Sequence, residues 1–142
     1  MKSSTAIGTR RRSREMALQL LFQSEFVPAD VSPEEALRRF VDDFEVDREV
    51  AEYGGQLFLG TVARKKEIDS VIQAHSAHWK VWRMGLVDLS VMRIAVFEMK
   101  YLTPPLSPGI AIDEAVEIAK KYGSTESGAF VNGILDQVAR SL

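Results

Sequence analysis

The sequence predicts an all-α protein of six or seven helices. Three observations carry that prediction. No stretch alternates apolar and polar residues with a period of two, as a half-buried strand would. Apolar residues instead recur three and four apart, the spacing of one helix face. Proline and capping side chains fall between those segments, and no internal repeat or low-complexity stretch interrupts them.

The first helix covers residues 10–26, RRRSREMALQLLFQSEF, with Thr9 as candidate N-cap. Residues 1–8 are small and polar apart from Ile7 and are expected to be flexible in isolation. Ala17, Leu18, Leu20, Leu21 and Phe22 give the back end an apolar face, while Arg10, Arg11, Arg12 and Arg14 load the front end with cations. A helix N-terminus carries about half a positive charge, so each exposed arginine there is disfavoured by roughly 0.3–1 kcal/mol. Only Glu15 offsets this locally, and an anionic partner would explain the arrangement. Arg10 and Arg14 are i,i+4 neighbours and Arg11 precedes Arg14 by three, so three guanidinium groups can share one flank. A guanidinium grips phosphate with two bonds and stacks on bases, which suits single-stranded RNA. On the residues alone, DNA and an acidic protein surface stay open. The bland alternative is a solvated basic tail; against it stands the run's direct continuation into an amphipathic helix.

The second helix opens with Ser32, Pro33 and Glu35, an S-x-x-E capping box with proline at the first helical position, and ends near Phe44. Asp47 is placed to cap a third helix, in which Gly54, Gly55 and Gly60 would let another helix approach closely. The charged run RKKE before Ile68 predicts a break into a fourth helix. Trp79 and Trp82 follow, beside Lys80 and Arg83; they could stack bases, but two tryptophans in so small a chain are expected in the core. Residues 87–102 are apolar nearly all round, which predicts a central helix, with Asp88 as its N-cap. Arg93 and Glu98 are five apart on it and are expected to bond outward to neighbouring segments. The linker TPPLSP stops that helix. Residues 110–122 form the next, closed by Lys120, Lys121 and Gly123. Ser124 or Thr125 is expected to cap the last, residues 126–141.

An apolar fraction of 46% is too high for disorder. With no cysteine, a disulfide framework, a Cys-ligated zinc and a thiol nucleophile are excluded. No apolar run approaches the ~18–20 residues of a membrane span, and the first residues lack the apolar core of a secretion signal. Lys2 and the four arginines put five positive charges in the first 14 residues with no acid among them. The remaining 128 residues therefore sum to −7 within a net charge of −2, so the anion site should be local.

Sites for catalysis do not emerge. His75 and His78, the two histidines, could touch one metal ion from a helix, but no third ligand is fixed beside them. No G-x-S-x-G and no glycine-rich phosphate loop occurs. The carboxylate pairs Asp42–Asp43 and Glu34–Glu35 fall where solvated helix faces are usual. An enzyme is not expected.

Three blocks, RRRSREMALQLLF, DLSVMRIAVFEMKYL and AIDEAVEIAKKYGSTESGAFVNGILDQVA, resemble the NusB family of bacterial transcription antitermination factors. The third is the most specific, through Glu114, Ala119, Lys120, Gly123, Ser127, Phe130, Val131, Asn132, Gly133, Leu135 and Asp136. The resemblance spans residues 9–140, though 27–51 match only in length and helical pattern. It implies two small packed helical bundles, here about 9–76 and 77–142, with no catalysis and no cofactor. It also implies binding to the boxA element of ribosomal RNA leader transcripts. The partner would be NusE, the small-subunit ribosomal protein, in an RNA polymerase complex in the cytoplasm. A monomer and a homodimer both stay open, and a homodimer could cover the RNA surface.

Carried residue by residue, the resemblance makes Arg10, Arg11, Arg12 and Arg14 RNA contacts, joined by Lys2. Ser127 and Phe130 form the other half of the RNA surface, with Phe130 as a stacking ring, and His75 falls where an aromatic RNA contact can sit. Phe22 and Asp88 belong to the NusE face. Ala129 stands where a lysine is common, Gly128 where a larger polar residue often sits, and Phe22 where a tyrosine can occur. Asn132 and Asp136 are read as structural, with Arg93 a possible partner, and Lys120 and Lys121 as ordinary C-terminal cations. The alternatives are the RNA-binding accessory domain of an RNA cytosine methyltransferase and a purely protein-interaction helical module. If the RNA reading holds, Arg10→Ala with Arg14→Ala is expected to weaken RNA binding with the melting temperature nearly unchanged.

Overall fold

The computed structural model describes residues 5–142, with side chains from residue 8 onward. Among these, every regular element is helical: α1 (Thr5–Ser24), α2 (Pro33–Asp43), α3 (Arg48–Ala63), α4 (Lys65–Ala74), a 3-10 turn (Val81–Arg83), α5 (Leu86–Lys100), α6 (Pro108–Tyr122) and α7 (Ser127–Ser141). The chain divides into two compact units, one ending at Ala63 and the other running Arg64–Leu142. The break after α3 falls in the charged run, so α4 joins the C-terminal helices, whereas the expected boundary lay near residue 76.

In the first unit α1 packs along α3, and α2 rests on both. Leu20, Leu57 and Phe58 are fully buried there; burying a side chain of this size contributes about 1.5–3 kcal/mol. The glycines of α3 admit their neighbours as expected. A Cβ on Gly54 would stand 2.8 Å from Met16 Cε and 3.0 Å from the Ser13 carbonyl oxygen, and one on Gly55 3.1 Å from Leu37 Cδ2. The Ser13 hydroxyl lies 2.9 Å from the Thr9 carbonyl and 3.0 Å from that of Val50, tying α1 to α3. Thr9 is therefore not a cap; it lies inside a helix that starts at Thr5.

Half of the α2 capping box forms. Ser32 Oγ accepts the Glu35 N–H at 3.1 Å, but the Glu35 carboxylate turns to Arg38 at 2.6 Å and Arg39 at 2.8 Å. Those bonds, the Arg38 one foremost, hold the Glu35 carboxyl below its ordinary pKa.

In the second unit α5 is the central rod, contacted by α4, α6 and α7. Every residue from Leu89 to Met99 is buried. Its N-cap is Gly85, and Asp88 sits instead in the first turn, where an acid complements the helix dipole. Arg93 does bond outward: its guanidinium makes a two-bond pair with the Asp69 carboxylate of α4, at 2.7 and 2.8 Å. Asp136 is not its partner, since it pairs with Arg140 at 2.9 Å within α7. α6 opens at Pro108, with Ser107 Oγ accepting the Ile110 N–H.

The α6–α7 corner is tight. Gly123 has an ordinary extended backbone rather than the left-handed one expected of a terminal glycine. Its reason is space: an added Cβ would collide with Ser127 Oγ and stand 2.8 Å from the Ala119 carbonyl oxygen. Neither Ser124 nor Thr125 caps α7, whose N-cap is Glu126. Gly123→Ala should therefore destabilise the protein by about 1–3 kcal/mol, a penalty typical of overpacking. A urea midpoint equal to that of the native chain would show the corner to be looser than its contacts indicate.

Candidate nucleic-acid interface

Each unit carries candidate groups of its own. In the first unit the arginines of α1 divide by helical phase. Arg10 is exposed, with Cζ 3.9 Å above the Tyr53 ring of α3. Arg14, one turn later, is only 4% exposed, with Cζ 5.7 Å from the same ring. The pair does share a flank, and that flank faces Tyr53. A guanidinium over an aromatic face is held by the ring's quadrupole. Arg12 points elsewhere and bonds Asp47 Oδ2 at 3.1 Å, with both side chains more than half exposed. Such a pair is worth about 0–1 kcal/mol and exchanges readily for another anion. Arg11 is half-buried. Lys2 lies outside the described residues. Arg10 and Arg12 are thus the accessible guanidinium groups, and Arg14 cannot be removed without touching the core.

Phe22, near the end of α1, is 40% exposed and Phe26 72%, with ring centroids 5.4 Å apart. An exposed aromatic pair of this kind is suited to protein contact.

In the second unit an open groove of about 410 Å³ is lined by His75, His78, Trp79, Phe130, Gly133 and Gln137. Phe130 is half-buried and meets Trp79 edge to face, with centroids 6.1 Å apart. The tryptophans are not in the core: Trp79 is 53% exposed and Trp82 76%. Trp79 lies in an irregular stretch after α4 and Trp82 in the short 3-10 turn, so neither has an α-helix face to fold it inward. Trp79 is nevertheless fixed. The Gln73 amide donates to the Trp79 carbonyl at 2.9 Å and accepts the Val81 N–H at 2.9 Å. The buried Ser76 hydroxyl also bonds the Trp79 carbonyl, at 3.1 Å.

His75 Nδ1 lies 2.9 Å from the Val71 carbonyl. A carbonyl can only accept, so Nδ1 donates and Nε2 is left as an acceptor in the neutral ring. Ser127 is 2% exposed, and its hydroxyl accepts the Ser124 N–H at 2.9 Å. Gly128 is buried beside Lys120, while Ala129 is exposed at the groove. Asp88 is half-buried on α5.

From sequence, Trp79 is expected in the core and His78 is weighed only as a metal ligand with His75, while Gln137 is not singled out. Their signal was weak: a tryptophan outside any apolar periodicity, followed by Lys80, Trp82 and Arg83. Among the described residues no three acids or histidines gather as a metal site, and no helix is long and apolar enough to cross a membrane.

Helices throughout the described residues, exposed guanidinium groups on one unit and exposed rings around an open groove on the other fit a nucleic-acid-binding protein. The chain belongs to the NusB family, whose model matches residues 11–140. The transcription antitermination protein NusB of Bdellovibrio bacteriovorus is 50% identical over 137 residues, covering 95% of this chain and 98% of its own length. A solved NusB of T. maritima shares 36% identity, with a TM-score of 0.82, covering 92% of this chain and 90% of that one. A chain from a structure of the antitermination factors NusB and NusE in complex with dsRNA shares 26% identity, with a TM-score of 0.82, covering 94% of this chain and 98% of that one.

Proposed function

We propose that this protein is a non-enzymatic transcription antitermination factor. It binds the boxA element of ribosomal RNA leader transcripts and, with NusE, joins an RNA polymerase complex in the cytoplasm. The observation that carries this reading is the exposure of Arg10 and Arg12 on a helix that packing against α3 holds in place; since α1 starts at Thr5, both lie beyond its first turn and the helix dipole does not account for them. The antitermination name of the relatives and the RNA complex of a similar chain support it.

In this reading Arg10 and Arg12 grip phosphates. Arg14 and the buried Ser127 act from behind, one seating α1 on Tyr53 and the other shaping the corner ahead of Phe130. Trp79 and Phe130 receive an unstacked base, with His75 Nε2 and Gln137 available to its edge. Phe22, with Phe26, and Asp88 serve the NusE contact. Simultaneous engagement of RNA and NusE raises the effective concentration of each for the other. A homodimer that covered these groups would compete with RNA, which sedimentation with and without boxA RNA would reveal.

Trp79→Ala tests the reading. Base–aromatic stacking is worth about 1–3 kcal/mol per base, so boxA affinity should fall roughly five- to hundred-fold in fluorescence anisotropy. The half-exposed ring contributes little to stability, so the melting temperature should hold. Equal boxA affinity of the two proteins, or equal affinity of the native chain for boxA and a scrambled RNA, would reject the assignment.

A further inference from the structure

We propose that Arg64, Lys65 and Lys66 at the head of α4, with Lys100 at the end of α5, form a second cationic surface that holds the phosphate backbone of RNA beyond the groove. This rests on the RNA-binding reading above and lengthens its footprint within the second unit. Two helices deliver the charges. Arg64 immediately precedes α4, whose first residues are Lys65 and Lys66, and α5 ends in Lys100 beside Tyr101.

The Tyr101 ring joins the two helix ends through Arg64 and Lys100. The buried Phe97 stacks on Tyr101, with centroids 6.2 Å apart and planes 26° apart. Arg64 Cζ lies 4.4 Å from the Tyr101 centroid and Lys100 Nζ 5.6 Å. A guanidinium laid on a ring keeps its N–H edge for an in-plane acceptor such as a phosphate oxygen.

All four cations are exposed. Glu67 approaches Arg64 only at 3.8 Å, too long for a hydrogen bond. Lys66 and Lys100 pair with no carboxylate among the described residues. Like charges collected this way raise the energy of the folded chain, and the three at the head of α4 also oppose its dipole. The result is a patch of positive potential on a chain whose net charge is −2.

Its position favours RNA over the other polyanion to consider, an acidic protein segment. α4 rises about 15 Å over its length, and the aromatic groove begins at its far end, at Ala74. A strand lying along α4 can place phosphates on the cations and bases on the rings. A carboxylate-rich peptide has nothing to offer those rings.

The test uses Lys66→Gln with Lys100→Gln, leaving the Arg64–Tyr101 stack in place. Binding is measured on two fluorescein-labelled RNAs, a short boxA oligonucleotide and the same element extended on both sides. Loss of two phosphate contacts should flatten the log–log salt dependence on the extended RNA by about 1.4 and weaken binding about tenfold at low salt. The short RNA should bind the variant as it binds the native chain. Unchanged affinity for the extended RNA overturns the proposal. So does a labelled polyglutamate that binds the native chain, fails on the variant and leaves extended-RNA binding unaffected, because the surface would then serve an acidic protein. Failure of the native chain to bind the short RNA is a separate result: it sinks the RNA reading, and this extension with it.

Discussion

Asp69→Ala should lower the melting temperature by about 10 °C. Arg93 is one of few charged side chains inside the second unit, 7% exposed, and Asp69 meets it with two bonds. Removing one partner of a buried pair leaves the other desolvated and unmatched, a loss of about 3–5 kcal/mol. Asp69 is itself 25% exposed, so water can partly replace it and the lower end, about 3 kcal/mol, is expected. At roughly 2–4 °C per kcal/mol for a chain of this size, the shift is large and easily read by circular dichroism. Replacing both partners, Asp69→Leu with Arg93→Met, should recover most of the loss, because an apolar pair needs no matching charge. A single variant that melts with the native protein would mean that Arg93 is satisfied elsewhere.

Arg10→Ala with Arg12→Ala should weaken boxA RNA binding by about a hundredfold or more. A hydrogen bond to a charged group is worth about 1.5–3 kcal/mol, and losing two cations should also flatten the salt dependence, by about 1.4 on a log–log scale. Stability should move little. The Arg12–Asp47 pair is exposed at both ends and worth at most about 1 kcal/mol, and the Arg10–Tyr53 contact is worth about 0.5–1 kcal/mol. Arg14→Ala should behave in the opposite way, lowering the melting temperature through lost packing. Titrations of labelled RNA at several salt concentrations, alongside thermal melts, separate the two kinds of arginine. Undiminished RNA affinity of the double variant would remove the footing of the RNA assignment.

Much of the fold was legible because each helix announces itself locally. Pro33 after Ser32, the proline cluster of 104–108 and the RKKE run each mark a boundary that the structure keeps. Ser32 was legible as a cap, and that cap forms, but three other caps were not. Thr9, Asp88 and Ser124 all have capping chemistry, yet α1 begins earlier and α5 is capped by a glycine that needs no side chain.

The candidate site was read in part. Its arginines were visible as a charge run, and Arg14 could have been separated from them. It precedes Ala17 and Leu18 by three and four, on the face that packs. The outward turn of Trp79 could not have been found by apolar character, which argues for burial. Nor could the Asp69–Arg93 pair, whose members are 24 residues apart and are joined only by tertiary packing.

Gln73 gives the groove a property beyond its shape. One amide side chain fastens the chain at Trp79 and again at Val81, so the least regular stretch of the second unit surrenders its conformational freedom during folding. An incoming base then meets an aromatic wall already standing in place, and little further ordering opposes its capture.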